Sequence, residues 1–363
     1  MAAGAVASYC WRAGVRAGHN LGVGGLCTAG RALRTGGITL LLLLEVLPWP
    51  FRPLRWLVGR PRHQRWRSAS PAGTVVSDLW LPGFPHRGRR PALIFAMGVR
   101  TAPHDQPIIR GFARTLARLG FVVLWPRLHA LDRGYPGTEE PATFVTAFET
   151  LAAHPAVDPQ RIAFLGFSVG GSVALVAASD PRIADRLRAV VFFGGYYDVF
   201  DFLSAAASGV SVAGGRCERW RPSVGAMTHL LSVVAALRVP ELLRAFPSRS
   251  PAEARAVLAT LPPTARTRLE RLNPAPVLDR VRARIFILHD RRDEMVHYFE
   301  SEKLFQALGP QPNAELAIVD LFEHVQPRQA LSWRSLRELA QLARFVFRTL
   351  AYLEGTATGS ARR

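Results

Sequence analysis

A serine flanked by glycines is the residue of this chain best placed to act as a nucleophile. The run Gly166-Phe167-Ser168-Val169-Gly170-Gly171 follows the apolar stretch RIAFLGF (161–167) and precedes a small-residue segment at 169–179. A serine on a sharp strand-to-helix turn has strained backbone geometry, and nearby glycines remove Cβ atoms that would collide. The pattern predicts that Ser168 is a nucleophile at the end of a strand. The alternative is a glycine-rich turn with an incidental serine.

A base and an acid are needed as well, because a hydroxyl is a poor nucleophile until its proton is accepted by an oriented base. Asp293 follows the apolar run RIFILHD (284–290), and His324 follows ELAIVD (315–320). Parallel strands end at one edge of a sheet, so both residues are expected beside Ser168. We predict that His324 is the base and Asp293 its orienting acid. The alternative acids are Asp290, Glu294 and Asp198.

The elements that would position these residues follow an alternating pattern. From residue 74 onward, short apolar runs alternate with stretches of helical spacing, which is typical of a parallel sheet covered by helices. The predicted strands lie at 74–82 (an edge strand), 92–98, 121–126, 161–167, 189–195, 284–290 and 315–320. The predicted helices lie at 106–119, 139–153, 169–179, 298–308 and 330–353.

This alternation stops between residues 199 and 275, where helical stretches occur around 226–246 and 252–271 without clear strands. We interpret the segment as an inserted helical cap. The chain is therefore predicted to be an α/β protein whose catalytic domain comprises residues 73–198 and 276–355. The cap occupies 199–275, and 1–72 form a separate N-terminal segment.

The residues around the serine and the acid resemble those of a known superfamily. Val157-Asp158-Pro159-Gln160-Arg161-Ile162, then GFSVGG, is similar to the nucleophile region of the dienelactone-hydrolase-like and prolyl-oligopeptidase-like branches of the α/β-hydrolases. ILHDRRDEMV (287–296) is similar to the turn that carries their acid. The resemblance implies a central, mostly parallel eight-stranded sheet and a covalent acyl-enzyme. It implies neither a metal nor an organic cofactor.

Three positions depart from the pattern of that superfamily. Met97-Gly98 stands where many members have His-Gly, Asp290 replaces a common glycine, and His297 replaces a common proline. Oxyanion donors are backbone groups, so Met97 leaves that role intact, and we predict the N–H groups of Val169 and Val99 as donors. Dienelactone hydrolases proper use cysteine as the nucleophile, so a serine favours an esterase-like activity.

The predicted function is a serine hydrolase that cleaves a small-molecule carboxylic ester. Apolar residues between 230 and 243 are either the cap's own packing face or a lid over a lipophilic acyl site. A peptidase or amidase with the same triad is a second interpretation, which the lack of a repeated-strand propeller before residue 74 disfavours. A third is a catalytically silent, membrane-associated interaction protein, which the complete Ser–Asp–His set disfavours.

Positive charge is concentrated at the N-terminus. The formal net charge is +19, and residues 1–72 hold ten Arg but one acid, Glu45. The apolar run 38–47 is too short to cross a bilayer, which takes about 20 residues. Tryptophans among arginines at 38–67 suit a headgroup region and predict a membrane surface as partner, and hence membrane association. The alternatives are packing on the catalytic domain, a removed targeting peptide, or a soluble cytoplasmic protein.

Composition argues against other classes of protein. The sequence has no zinc-finger, RRM-like or helix-turn-helix signature, so nucleic acid is not an expected partner. The three cysteines (Cys10, Cys27 and Cys217) are odd in number and far apart, and predict neither a disulfide framework nor a metal cluster. Residues 1–37 are rich in Ala, Gly and Arg with little periodicity, and we predict that they are disordered.

Overall fold

The computed structural model describes residues 21–48, 51–70, 73–84, 88–99, 105–236, 239–309, 313–328 and 335–355. Its strands are β1 (Arg62–Ser70), β2 (Gly73–Leu81), β3 (Arg90–Ala96), β4 (Val122–Arg127), β5 (Val157–Phe167), β6 (Ala189–Phe193), β7 (Val210–Ala213), β8 (Arg216–Arg219), β9 (Arg284–Asp290), β10 (Ala314–Val319), β11 (Phe322–Glu323) and β12 (Gln326–Pro327). Its α-helices are α1 (Leu21–Val46), α2 (Leu54–Leu57), α3 (Asp105–Arg118), α4 (His129–Asp132), α5 (Glu140–Ala152), α6 (Val169–Ala178), α7 (Val199–Ser208), α8 (Val224–Ala236), α9 (Pro251–Ala259), α10 (Pro263–Glu270), α11 (Phe299–Ala307) and α12 (Leu336–Leu353).

Eight strands form one sheet in the order β1-β2-β4-β3-β5-β6-β9-β10. The pairs from β4 to β10 are parallel, whereas β2 pairs antiparallel with both β1 and β4. The mostly parallel eight-stranded sheet confirms the predicted fold class. Its parallel strands all end at one edge, which is where β5, β9 and β10 deliver their loops.

Helices cover both faces of the sheet, so the central strands are apolar on both sides. In β3, Ile94 packs in the core that includes α5 and α6, while Leu93 and Phe95 pack in the core that includes α1, α3 and α12. This alternation follows from the two-residue period of a strand. The whole of β3 is buried, and it carries the segment that passes over Ser168.

The first strand corrects the predicted domain boundary. β1 pairs with β2 along its full length, from Arg62 opposite Leu81 to Ser70 opposite Gly73. The sheet therefore begins at Arg62 rather than at residue 73, and β1 takes the edge position that we predicted for 74–82. β1 escaped notice because one of its faces is solvated and its residues are mostly polar, as is common at a sheet edge. Its Trp66 packs against the core.

Helix α1 corrects the prediction that residues 1–37 are disordered, from Leu21 onward. Ile38 and Leu42 are buried in the core shared with α3 and α12, and the Thr35 hydroxyl donates to Glu354 Oε2 at 3.0 Å. This part of the segment packs on the catalytic domain, which was one of the alternatives; residues 1–20 lie outside the described range. Among the helices described, none combines the length and apolar character needed to cross a bilayer.

The segment 199–275 lies between β6 and β9 and has a core of its own, which includes Phe202, Trp220, Leu242 and Leu258. Besides α7 to α10 it contains the antiparallel pair β7–β8. The prediction of a cap without strands was wrong at this hairpin. Four-residue strands are too short to show alternation, although the Gly214-Gly215 turn, with φ of 54° and 75°, is a hairpin signal.

Candidate active site

Ser168 occupies the turn between β5 and α6. Its backbone has φ 54° and ψ −138°, a conformation that costs roughly 1–3 kcal/mol for a residue other than glycine. A Cβ at position 166 would collide with the backbone of Gly171, and one at position 170 with the carbonyl of Ala96. The Ser168 N–H donates to Phe193 O at 2.8 Å, which fixes the turn to β6. Both glycines are therefore required by sterics.

Asp293 and His324 meet at the same sheet edge. Asp293 follows β9, and its Oδ2 lies 2.7 Å from His324 Nδ1. The Asp293 side chain is 0% exposed, and its Oδ1 accepts the N–H groups of Met295 and Val296 at 2.7 and 3.0 Å. His324 lies in the turn between β11 and β12 with φ 58°. The strained turn directs the imidazole towards the acid, which leaves Nε2 for a proton donor.

Two further side chains hold the acid loop in place. His289 is fully buried in β9; its Nε2 bonds Val296 O at 2.8 Å and lies 3.3 Å from Asp293 Oδ2, and its Nδ1 bonds Ser301 Oγ at 2.6 Å. Trp220, from the cap, donates its indole N–H to Asp293 O at 2.9 Å. Sequence reasoning missed both residues. Their spacing of four residues did not predict a contact between His289 and Asp293, because it is the fold of the loop after β9 that brings the two side chains together.

The charge state of Asp293 follows from these contacts. Burial alone raises the pKa of its carboxyl group. The positive charge of His324 and the hydrogen bonds from His289 and His324 outweigh burial, and the resulting pKa lies well below its usual range. Asp293 is therefore ionised at neutral pH and can stabilise an imidazolium ion at His324.

Asp290, one of the alternative acids, has a different function. Its Oδ2 accepts the N–H groups of Leu321 and Phe322, both at 2.8 Å, and its Oδ1 accepts from Arg328 Nη2 at 3.3 Å. Burial raises the pKa of the Asp290 carboxyl group. This residue joins the end of β9 to the segment that leads into β11, and so supports the turn that carries His324.

The other two alternative acids also lack a bond to the imidazole. Asp198 caps α7, where its carboxylate accepts two backbone N–H groups of the first turn. Glu294 is exposed. In the described part of the chain, Asp293 is the carboxylate that is bonded to His324.

A small cavity of about 70 Å³ lies over Ser168. Val169 and Val99, whose N–H groups are the predicted oxyanion donors, both line it. A Cβ at Gly98 would lie 2.8 Å from the Ser168 Cβ, so glycine is what lets the chain carrying Val99 pass this close. The remaining lining residues are Pro136, Tyr196, Val199, Phe202, Leu203, His229, Leu230, Val233, Val234, Leu269, Leu272, Met295 and Val296.

The polarity of this cavity is concentrated at two side chains. Tyr196 donates its hydroxyl to Leu272 O at 3.0 Å, which leaves the Ser168 hydroxyl and His229 as polar groups of the lining. Burial, and then the positive charge of His324, lower the pKa of His229. No hydrogen bond joins Ser168 to His324 in the described chain; such bonds often form only when substrate is bound.

Metal ligands are not grouped in the described ranges: within them, no three or more His, Cys, Asp or Glu side chains lie together as a metal site would need.

Comparison with known proteins defines the fold. No protein-family model matches the chain, and no curated protein matches it in sequence. Solved structures do match. A puromycin-hydrolysing peptidase of Mycobacterium tuberculosis aligns with a TM-score of 0.54 and 16% identity over 84% of this chain and 40% of the other. An acylaminoacyl peptidase of Pyrococcus horikoshii aligns with a TM-score of 0.53 and 14% identity over 85% of this chain and 44% of the other.

These similarities place the chain in a structural class. The chain has the α/β-hydrolase fold, as its sheet order and the turn at Ser168 also indicate. It spans less than half the length of the two peptidases that it matches. At this level of identity the similarity establishes the fold and not the reaction.

Proposed function

We propose that this protein is a serine hydrolase that cleaves a carboxylic ester through an acyl-enzyme on Ser168. The observation that carries the proposal is the 2.7 Å bond between Asp293 and His324, at the same sheet edge as a serine in a strained turn. A hydrogen-bonded acid–imidazole pair next to a strained serine is the arrangement that activates a hydroxyl.

The reaction proceeds in two halves. His324 Nε2 accepts the Ser168 hydroxyl proton as the oxygen attacks the acyl carbonyl, and Asp293 stabilises the imidazolium ion that forms. The N–H groups of Val169 and Val99 donate to the tetrahedral oxyanion. His324 returns the proton to the leaving alcohol, and the acyl group remains on Ser168. Water then attacks the acyl-enzyme as His324 accepts its proton, and the collapse of the second tetrahedral intermediate returns that proton to the Ser168 oxygen and releases the acid.

The lining of the cavity supports a lipophilic acyl group. Apart from Ser168 and His229, the side chains facing the space offer carbon surface. Such a surface binds apolar groups and offers few partners for a charged substrate. The free volume of about 70 Å³ is well below the roughly 300–1,000 Å³ of a typical ligand site, so we expect the cap to move when a substrate binds.

A peptidase or amidase is the second candidate. Both structurally similar proteins are named as peptidases. The same serine and imidazole would serve an amide, whose leaving amine also needs the proton of His324. The ester is our preferred substrate because the cavity offers little to hydrogen-bond a peptide backbone.

Covalent labelling with a fluorophosphonate probe tests the general proposal. The wild type should label, whereas Ser168→Ala and His324→Ala should not, with circular dichroism confirming that both variants fold. A folded wild type that does not label contradicts the proposal and favours a catalytically silent protein.

The substrate class is tested separately. We expect p-nitrophenyl esters from acetyl to lauroyl to be cleaved with kcat/KM rising with acyl length, and the matching p-nitroanilides to be cleaved far more slowly. A label-positive enzyme that prefers the anilides establishes the amidase instead.

We also propose that the exposed side chains of Leu40, Phe51, Trp56 and Leu57 contact an anionic membrane. Trp56 and Leu57 are 86% and 72% exposed, and Leu40 and Phe51 are exposed as well. Residues 46–77 contain six Arg and no acid. Exposed aromatic and aliphatic side chains among arginines match the headgroup region of such a membrane.

A further inference from the structure

At the sheet edge opposite Ser168, five arginines line a cavity of about 260 Å³. Arg31 and Arg34 come from α1, Arg90 is the first residue of β3 and Arg89 directly precedes it, and Arg161 comes from β5. The same cavity is lined by a single carboxylate, that of Glu354.

The charges at this cavity do not balance. Glu354 lies 3.5 Å from Arg34 Nη2, and its other oxygen accepts from Thr35. Arg161 is paired with Asp158 outside the lining, at 2.6 Å between Nε and Oδ2. These two acids leave a surplus of guanidinium groups, so the cavity has a positive potential.

Arg90 is the strongest sign of a missing partner. It is 7% exposed, its guanidinium stacks on the Phe84 ring at 4.8 Å, and no carboxylate of the described residues pairs with it. Burial, and then the charge of Arg34, lower the pKa of Arg90. Residues 85–87, which are not described, include no acid. A buried cation without a counter-charge is costly, so the site favours an external anion.

The backbone leaves room for this guanidinium. Gly120 has φ 105°, and a Cβ there would lie 2.9 Å from Arg90 Nη1. A side chain at this position would crowd the guanidinium that faces the cavity.

We propose that this cavity binds a phosphate group, carried either by a soluble phosphate compound or by a lipid headgroup. Planar guanidinium forks bind phosphate oxygens through paired, charge-assisted hydrogen bonds, and several forks around one cavity match a multiply charged tetrahedral anion. The site lies at the amino ends of β3, β4 and β5, away from the triad, and is independent of the proposed hydrolase activity.

Isothermal titration of the full chain with inorganic phosphate and pyrophosphate tests the site. We expect saturable binding that Arg34→Ala and Arg31→Ala, both at exposed positions, weaken about tenfold. Arg90→Lys should also weaken it, because lysine loses the fork. Glu354→Gln should tighten binding severalfold, since it removes the competing carboxylate and keeps the acceptor for Thr35.

The matched control is Arg337→Ala, which removes an exposed arginine of α12 outside the cavity and should leave binding unchanged. The proposal is overturned by a wild type that binds neither anion nor phosphatidic acid, or by an Arg337→Ala variant that loses as much affinity as Arg34→Ala.

Vesicles distinguish the two sources of phosphate. Phosphatidylcholine vesicles with and without phosphatidic acid are sedimented with the protein, in the absence and presence of inorganic phosphate. Binding to phosphatidic acid that phosphate displaces and Arg34→Ala weakens identifies a lipid headgroup as the ligand. Phosphate binding by titration, with vesicle binding unaffected by Arg34→Ala, identifies a soluble compound.

Discussion

The two edges of one sheet carry cavities of opposite character. At the carboxyl edge, Ser168 faces about 70 Å³ of apolar space, and the buried carboxylate of Asp293 is bonded on both oxygens. At the amino edge, arginines face about 260 Å³, and Arg90 has no carboxylate partner in the described chain. The length of β3, roughly 20 Å, separates the two. The buried charge at the first edge is therefore paired within the described residues, whereas the buried guanidinium group of Arg90 at the second edge has no carboxylate partner among them.

The largest expected effect is the loss of hydrolysis at the carboxyl edge of the sheet, with no change at the amino edge. Ser168→Ala should reduce ester hydrolysis by about 10⁴-fold or more, because no other group forms the acyl-enzyme. Phosphate binding at the other edge should be unchanged. Steady-state kinetics and titration of one preparation measure both. A parallel loss of phosphate affinity would show that the two edges are not independent.

Replacing the acid should have the next largest effect. Asp293→Asn should lower kcat by about 10³- to 10⁴-fold, because an amide cannot stabilise the imidazolium ion or hold its productive tautomer. Glu294→Gln, at the exposed neighbouring position, is the control and should retain activity. Equal loss in the two variants would contradict the assignment of the acid.

The buried histidine behind the acid should have a smaller effect. His289→Leu should lower kcat about 10- to 100-fold with little change in KM, since it removes the hydrogen bonds that hold the acid loop without touching substrate. A rise in KM at unchanged kcat would instead place His289 in substrate binding. Rescue by His289→Gln, whose side-chain amide can still donate from near the position of Nε2, would support the positioning role.

The proposed membrane contact at Trp56 and Leu57 is separate from both cavities and can be tested independently of them. Trp56→Ala with Leu57→Ala should weaken binding to phosphatidylglycerol-containing vesicles severalfold and leave titration with phosphate unchanged. Leu336→Ala, an exposed leucine of α12, is the control. If the control variant loses equally, the membrane proposal fails.

The smallest effect concerns acid stability. The pKa of Asp293 in the folded protein lies below the unfolded value of 3.8, so its ionised form stabilises the fold above that pH. The contribution is lost as pH falls from 3.8 through the folded-state pKa. Urea unfolding at successively lower pH should therefore show a stability gap between wild type and Asp293→Asn that narrows below pH 3.8. A gap that widens in acid would contradict the sign of the shift.

Local rules made part of this structure predictable. The turn at Ser168 follows from glycines and an apolar strand that are adjacent in sequence. Asp293 and His324 could be proposed because parallel strands end at one edge. The sequence alone could not show that Asp293, and not Asp290, is bonded to His324. That difference depends on which backbone N–H groups each carboxylate accepts in the folded protein.

Long-range packing accounts for what sequence reasoning missed. Helix α1 contains Gly30 and the pair Gly36-Gly37, which disfavour a helix, yet Ile38 and Leu42 gain enough burial on α12 and α3 to hold it. The arginine cavity could not be predicted from the sequence for a similar reason. Its side chains come from segments far apart in sequence, and only folding brings them together.

The two sides of the cap differ in how firmly they are attached to the catalytic domain, and the indole of Trp220 accounts for the difference. Its bond to Asp293 O ties the β7–β8 side of the cap to the acid loop, whereas α8 supplies His229 and Leu230 to the roof with only three of its residues buried. An opening motion led by the hairpin would release the acid loop each time substrate enters. An opening led by α8 would leave the bond between Trp220 and Asp293 O intact, so the acid loop would stay in place between turnovers.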